Sequence, residues 1–216
     1  MHYRLIPNSF HFENLSLFNT SYRGLHMKNN TYENDVRILG GKFKGKLLPV
    51  LDVEGLRPTP SRVRETIFSW IKDSLGNAKV LDLFAGSGAL GLEAYSRGAK
   101  DVTLVELDKD NSSNLKVIAK SMSYDEIHVI NDDALHFLDN VSSTFNFVFI
   151  DPPYKLDIYE KVLEKLLDKN LIDDDSLIYV EMRNGSNKIV PGYEIIREEN
   201  AGQSKYSLWT KSKLLF

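Results

Sequence analysis

Short apolar runs alternate with amphipathic stretches from Lys79 to the end of the chain. Strands that alternate with helices indicate a parallel, doubly wound α/β sheet, which binds its ligands at the carboxyl ends of the strands. The predicted strands are Val80–Phe84, Val102–Glu106, Ile127–Ile130, Phe145–Ile150, Leu177–Glu181, Tyr193–Arg197 and Tyr206–Thr210. The predicted helices are Ala89–Ser96, Lys109–Lys120 and Ile158–Leu167.

The last two predicted strands follow each other without room for a helix, so we expect them to form an antiparallel C-terminal hairpin. The resulting seven-stranded, mostly parallel sheet is typical of the Rossmann-like fold of class I methyltransferases rather than of a plain dinucleotide-binding fold.

Three zones differ in composition. Residues 1–35 are rich in Asn without a clear period and are expected to form a poorly ordered extension. Met27, near its end, is a hypothetical alternative start of translation. Residues 36–76 hold two short apolar runs around a Gly/Lys turn, which predict a small basic hairpin, and then a helix. Residues 77–216 carry the α/β pattern and are the expected catalytic domain.

The helix that follows the hairpin has a recognisable start. Thr59 is a candidate cap, and Pro60 fits the first helical position, where its missing N–H costs nothing. Apolar side chains then recur at helical spacing, at Val63, Ile67, Trp70 and Ile71. Arg62 and Arg64 lie off this stripe and are expected to face solvent or a partner.

Charge is distributed unevenly along a chain whose net charge is −3. Residues 36–64 hold seven basic side chains against two acidic ones, which favours a polyanionic partner at one face, with a merely solvated surface as the alternative. The basic residues are Arg37, Lys42, Lys44, Lys46, Arg57, Arg62 and Arg64.

The absence of Cys excludes disulfides and thiolate chemistry. No run approaches the roughly 18 apolar residues of a membrane span, and the first thirty residues lack the apolar core of a secretory signal. We therefore expect a cytoplasmic protein without a membrane or metal site.

A glycine-rich turn follows the first strand of the sheet. Gly86, Gly88 and Gly91 satisfy the G-x-G-x-x-G pattern, and Glu106 at the end of the next strand can accept hydrogen bonds from ribose hydroxyls. Both features also describe a site for NAD. Asp82 favours another cofactor, because a carboxylate in this loop repels a pyrophosphate and suits a ligand that carries an ammonium and a sulfonium.

The strand Phe145–Ile150 runs directly into Asp151-Pro152-Pro153-Tyr154. Two prolines cannot continue a parallel ladder, so the tetrapeptide is expected at the carboxyl edge of the sheet. A carboxylate and a proline carbonyl held close together can accept both N–H groups of an exocyclic amine. Asp151 is then the candidate acceptor and proton sink, and Tyr154 offers an aromatic face to an unstacked base. As a bare tetrapeptide, this sequence could also be only a rigid turn.

Together these motifs resemble the RsmD family, the bacterial small-subunit ribosomal RNA guanine-N2 methyltransferases. The resemblance rests on Asp82-Leu-Phe-Ala-Gly-Ser-Gly88 with the Asp151–Tyr154 tetrapeptide, and on Arg37-Ile-Leu-Gly-Gly41, Arg57-Pro-Thr, Arg62-Val-Arg-Glu-Thr66, Leu177-Ile-Tyr-Val-Glu181 and Ala201-Gly-Gln203. It covers the chain from about Val36 to the C-terminus.

The resemblance implies transfer of a methyl group from S-adenosyl-L-methionine to N2 of a guanine, position 966 in the family's designation, in 16S ribosomal RNA. It implies an assembled or partly assembled small subunit as partner, and we expect a monomer. The cofactor residues that it implies are Asp82, Phe84, Gly86, Ser87, Gly88, Glu106, Asp133 and Ala134, and the basic residues of segment 36–64 would bind RNA.

Three alternatives stay open at this point. Asp-Pro-Pro-Tyr serves the N6 amine of adenine equally well, in RNA or DNA. An NAD-dependent oxidoreductase is disfavoured by Asp82. A non-catalytic assembly factor on the same fold is disfavoured by the apparent completeness of the site. Glutamine methylation in proteins is disfavoured because that chemistry usually goes with Asn at the position of Asp151.

Overall fold

A computed structural model describes residues 35–51, 59–123, 125–153, 155–185 and 190–213. The chain divides into two compact units, 1–31 and 32–216, and all described residues lie in the second. The extension predicted for residues 1–35 therefore falls outside the description except for its last residue, as do Met27, Arg57 and Tyr154. The predicted boundary between 36–76 and 77–216 runs within the second unit, and the functional division there stays a prediction.

The described elements follow the predicted alternation. The strands are β1 Val36–Arg37, β2 Leu47–Leu48, β3 Lys79–Asp82, β4 Asp101–Glu106, β5 Ile127–Asn131, β6 Phe145–Ile150, β7 Ile172–Arg183, β8 Tyr193–Ala201 and β9 Ser204–Lys211. The helices are α1 Ser61–Trp70, α2 Ala89–Ser96, α3 Lys109–Lys120, α4 Ala134–Asn140 and α5 Tyr159–Asp168.

Seven strands form one sheet in the order β5-β4-β3-β6-β7-β9-β8. Strands β3 to β7 are parallel, whereas β9 pairs antiparallel with both β7 and β8. The predicted fold, a mostly parallel sheet with an antiparallel C-terminal hairpin, is confirmed. The strand order reverses between β3 and β6, which makes their carboxyl ends the expected ligand-binding crevice.

The central strand β6 is buried on both faces. Phe147 and Phe149 belong to a core cluster that includes side chains of α1, α2 and α3. Val148 and Ile150 point the other way, into a cluster that includes side chains of α4 and α5. Because both faces are covered, β6 is apolar apart from the exposed Asn146, and the site lies at the end of a strand that helices cover on both sides.

The predicted basic hairpin exists, but its strands are only two residues long, with Val36 opposite Leu48. Its turn lies against the end of α2, where Lys42 N donates to Ser96 O at 2.7 Å. Gly41 has φ of +78°, and a Cβ at that position would lie 1.8 Å from the same carbonyl oxygen. Glycine is therefore required at this contact.

The predicted cap of α1 is wrong. The residue that precedes the helix is Pro60, and no side chain caps the helix. The hydroxyl of Thr59 is engaged elsewhere, as described below.

None of the helices that the structure describes combines the length and the apolar character needed to cross a membrane.

Candidate active site

Four neighbouring parallel strands bring acidic side chains to the same edge of the sheet. Asp82 ends β3, Glu106 ends β4, Asp151 directly follows β6, and Glu181 lies near the end of β7. Asp82 and Glu181 are buried, and Asp151 and Glu106 are half-buried. The site is thus a carboxylate-lined crevice at the point where the strand order reverses.

The glycine-rich turn after β3 is a tight loop. Gly86 and Gly88 both have positive φ, +51° and +74°, and a Cβ at Gly88 would lie within 3 Å of Leu115 and Leu92. The loop is closed by a hydrogen bond of 2.7 Å from Gly88 N to Ala85 O. These positions accept only glycine without strain, as the motif requires.

Asp82 is 2% exposed, and its Oδ2 accepts a hydrogen bond of 2.9 Å from Gly91 N. Burial and the nearby carboxylate of Glu106 raise the pKa of Asp82 to about 7, although backbone hydrogen bonds from Gly91 and Phe84 lower it. The side chain therefore changes charge near neutral pH.

Glu106 holds the glycine loop from the neighbouring strand. Its Oε2 accepts from Gly86 N at 2.9 Å and its Oε1 from Asp108 N at 2.7 Å. Burial raises its pKa, and these two backbone donors oppose that rise.

Asp133 precedes α4 and caps it, because its Oδ1 accepts from Leu135 N at 2.9 Å and His136 N at 3.0 Å. Ala134, the first residue of that helix, is buried. The pair follows β5, at the same carboxyl edge of the sheet as Glu106. Its contact with an adenine stays a prediction.

Asp151 lies near two other acidic groups, Glu181 and Asp82. Its Oδ2 accepts a hydrogen bond of 3.3 Å from Thr59 Oγ1. Burial raises the pKa of Asp151 well above its ordinary value, the carboxylates of Glu181 and Asp82 raise it further, and the Thr59 hydroxyl lowers it. A carboxyl group of this kind holds a proton more strongly than an exposed one does.

The prolines of the tetrapeptide differ in their surroundings. Pro152 is buried and Pro153 is exposed. The carbonyl of Pro153 accepts a hydrogen bond of 2.8 Å from Leu156 N, so it closes a local turn. The aromatic role predicted for Tyr154 concerns a residue outside the described part of the chain.

The acidic edge fits a cationic ligand. Within the part of the chain that the structure describes, no Lys, Arg or His forms an ion pair with Asp82, Glu106 or Asp151. All three carboxyl groups have raised pKa values, with burial as the largest cause. A ligand with an ammonium and a sulfonium would supply the positive charge that these carboxylates lack.

The basic residues of the hairpin and α1 differ in their exposure to solvent. Arg37, Lys42, Lys44 and Arg62 are exposed and Lys46 is half-buried, as expected for contacts with a polyanion. The predicted exposure of Arg64 is wrong. Its side chain is 2% exposed and forms an ion pair of 3.0 Å with the fully buried Glu93, so it is not a surface contact for phosphate. Arg57 lies outside the described residues.

Three residues that the structure places at the site or connects to it were not predicted from the sequence. Thr59 was interpreted as a helix cap, Glu93 as part of an ordinary helix, and Glu181 only as part of a strand motif. The one available signal in the sequence was Glu93 within the otherwise apolar stretch Ala89–Ala94. A Glu in such a stretch is rarely buried without a partner.

Comparisons with known proteins identify relatives of this chain. Residues 36–210 match the family model described as "Conserved hypothetical protein 95". The chain is 40% identical to "Ribosomal RNA small subunit methyltransferase D" of Escherichia coli (strain K12) over 185 residues, 85% of this chain and 93% of the relative. It is 39% identical to the protein of the same name from Haemophilus influenzae over 182 residues, 82% and 94% of the two chains.

Among solved structures, "Putative methyltransferase yhhF from Escherichia coli" superposes with a TM-score of 0.76 at 38% identity, covering 82% of this chain and 98% of that one. The chain therefore belongs to the RsmD family of class I methyltransferases.

Proposed function

We propose that this protein methylates the exocyclic N2 of a guanine in 16S ribosomal RNA of the small ribosomal subunit. The observation that carries the proposal is the position of Asp151. This carboxylate lies at the carboxyl end of the central strand, where the strand order reverses, beside the loop that begins at Asp82. An acceptor for the amine and the binding loop for the cofactor are thus adjacent.

S-adenosylmethionine supplies an electrophilic methyl group on a positively charged sulfur. The acidic residues Asp82 and Glu106 would hold its cationic and ribose portions, and the turn from Phe84 through Gly86 and Ser87 to Gly88 would let backbone approach it closely. Asp133 and Ala134 would lie beside the adenine. This assignment is supported by the burial of both carboxyl groups, which raises their pKa values, and by the lack of an ion pair to either of them among the described residues.

Asp151 has two tasks in this mechanism. Its carboxylate accepts one N–H of the base amine, and the carbonyl of the buried Pro152 is the candidate for the other, since that of Pro153 is engaged with Leu156 N. When both N–H groups donate hydrogen bonds in this way, the nitrogen lone pair is directed away from the ring and towards the methyl donor. The new N–C bond would form as the S–CH3 bond breaks and leaves S-adenosylhomocysteine as a neutral thioether. The methylated nitrogen is then acidic, and its proton would pass to Asp151, whose raised pKa suits it as an acceptor.

The substrate is inferred from two observations. The relatives quoted above are named as methyltransferases of small-subunit ribosomal RNA. Exposed basic side chains on the hairpin and α1, Arg37, Lys42, Lys44 and Arg62, match a phosphate backbone. We propose that the protein acts as a monomer on assembled or partly assembled subunits in the cytoplasm, and that Tyr154 stacks on the target base.

The test is nucleoside analysis of ribosomal RNA after small subunits lacking the modification are incubated with the protein and methyl-labelled cofactor. We expect label in N2-methylguanosine. Label in N6-methyladenosine would instead identify an adenine enzyme, for which the same pair of acceptors is suitable. Absence of label with subunits, with free 16S RNA and with DNA would favour a non-catalytic assembly factor.

A further inference from the structure

A buried hydrogen-bond network surrounds Glu93 of α2, whose side chain is fully buried. Its Oε1 accepts from Nε and Nη2 of Arg97, at 2.9 and 2.7 Å. Its Oε2 accepts from Arg64 Nη1 at 3.0 Å and from Leu39 N at 3.2 Å. One carboxylate thus joins three segments that are far apart in sequence: the basic hairpin, α1 and α2.

Arg64 carries the network beyond Glu93. Its Nε donates to Thr59 O at 3.2 Å and its Nη1 also donates to Arg37 O at 3.0 Å. A guanidinium is planar and its donors point in fixed directions, so these bonds fix the backbone of Thr59 relative to the hairpin and α2.

Thr59 connects this network to the active site. It is 8% exposed, and its Oγ1 donates to Asp151 Oδ2 at 3.3 Å across 92 positions of the sequence. The following Pro60 restricts the backbone of Thr59 to extended conformations. The backbone of Thr59 is therefore restricted by Pro60 and hydrogen-bonded to Arg64, and its hydroxyl reaches Asp151 from this position.

A buried ion pair is weak evidence for stability, because removing two charges from water costs about as much as their attraction returns. We therefore ask which groups the Arg64–Glu93 pair holds in position. Of the groups that the pair fixes, Thr59 is the one that touches a reacting side chain.

We propose that Thr59 is a positioning residue for Asp151, and that the buried Arg64–Glu93 pair holds Thr59 in place. The inference rests on the proposed function of Asp151 as acceptor of the base amine. By occupying Oδ2, the Thr59 hydroxyl fixes the rotation of the carboxylate and leaves Oδ1 directed to the amine. It is also the neutral donor at a carboxylate otherwise faced by the acidic groups Glu181 of β7 and Asp82 of β3.

The first experiment compares Thr59→Val with Thr59→Ser in methylation of small subunits. Valine keeps the shape and removes the donor, and a hydrogen bond to a charged group is worth enough to lower kcat roughly tenfold. We expect KM for subunits and cofactor affinity to stay unchanged. The acidic limb of the pH profile of kcat should move to higher pH, since the hydroxyl lowers the pKa of Asp151. Serine should restore both properties.

Thr66→Val is the matched control, because Thr66 lies on α1 and its hydroxyl donates to Arg62 O within the helix. It should leave kcat and its pH profile unchanged. A Thr59→Val enzyme with wild-type kcat and an unshifted profile would overturn the proposal, as would an equal loss in Thr59→Ser.

The second experiment tests the role of Arg64 by a double-mutant cycle. Arg64→Lys keeps the charge beside Glu93 but loses the donor to Thr59 O. It should lower kcat in the wild-type background and have little further effect in Thr59→Val, since both changes act through the same hydroxyl. Additive losses would show that Arg64 acts by another route and would refute that part of the proposal.

Failure of the proposed function gives a different result from failure of this inference. If the unaltered protein labels no guanine in small subunits, the function itself is refuted. If the unaltered protein is active and the Thr59 variants behave like it, only the positioning role is lost.

Discussion

The backbone N–H of Gly91 donates to Oδ2 of Asp82 at 2.9 Å, and this bond fastens the first turn of α2 to the carboxyl end of β3. A Cβ at Gly91 would lie 2.3 Å from Leu104 Cδ2 and 3.1 Å from Asp82 Oδ2. The third glycine of the motif therefore serves the packing of helix on strand, and through it the orientation of an acidic side chain in the crevice.

Gly91→Ala should lower the free energy of unfolding by about 1–3 kcal/mol, as expected when a methyl group is forced into a filled space. Urea denaturation measures this change. Gly76→Ala is the control, because a Cβ there meets no atom within 4 Å. Equal stability of the two variants would contradict the tight contact at Gly91.

Cofactor affinity should depend on the charge of Asp82, whose pKa is about 7. The ionised carboxylate attracts the cationic cofactor, so affinity should rise with pH below neutrality, by at most about tenfold per unit. Asp82→Asn should bind more weakly and lose this dependence, which calorimetric titration at several pH values would reveal. Asp73→Asn, a change at an exposed position, should behave like the unaltered protein.

In the cofactor-free protein, the ionised carboxylate of Asp82 lowers the stability of the fold. The pKa of Asp82 is higher in the folded chain than in the unfolded one, so its favourable contribution to folding is present at low pH and is lost as pH rises through about 7. Without cofactor, Asp82→Asn should thus be more stable than the unaltered protein above neutral pH. A cofactor-free variant that is less stable there would argue against this balance.

Asp151→Asn should bind cofactor and lower kcat by about 10²–10³-fold, because an amide cannot take the proton of the amine. In the unaltered protein kcat should increase as pH rises through the raised pKa of Asp151, since the ionised form is the acceptor. Single-turnover methylation separates the chemical step from product release. Full activity of Asp151→Asn would remove this residue from the mechanism.

Glu93→Gln should destabilise the fold by about 3–5 kcal/mol, because it leaves the buried guanidinium of Arg64 without its counter-charge. Glu65→Gln, on the exposed face of α1, should change stability little. Thermal and urea unfolding of both variants measure the difference. A small effect at Glu93 would mean that water replaces the lost partner.

Replacing Lys42, Lys44 and Lys46 together by Gln should weaken binding to small subunits and reduce the dependence of log K on log salt, by about one unit per lost phosphate contact. The matched control replaces three exposed lysines on α3 and α5, Lys116, Lys120 and Lys161. Equal losses in the two triple variants would indicate a general charge effect instead of a binding surface.

The sheet could be predicted from the sequence because its central strands are buried on both faces and are therefore almost entirely apolar, as at Phe145–Ile150, where Asn146 is the one polar residue. The glycine turn and Asp151 were predictable because they follow such runs directly. Helix α4 was missed, since its seven residues are too short for a helical period to stand out. Strand β7 begins five residues earlier than predicted, at Ile172, because Asp173, Asp174 and Asp175 do not resemble a strand.

Arg64 shows why the rest of the site could not be predicted. A charged side chain off an apolar stripe normally faces solvent, and only a fully buried partner on another helix changes that outcome. Glu93 lies 29 positions away, and nothing local in the sequence links the two. The same holds for Thr59 and Asp151, whose contact depends on the finished fold.

Backbone contacts hold the hairpin against α2, since Lys42 N donates to Ser96 O and Gly41 lies close to the same carbonyl. If the lysines of the hairpin bind RNA, the distance from the bound phosphates to Asp151 is fixed. Such an enzyme would select its nucleotide by its distance along a folded RNA surface, and would discriminate against a substrate whose base lies too near or too far.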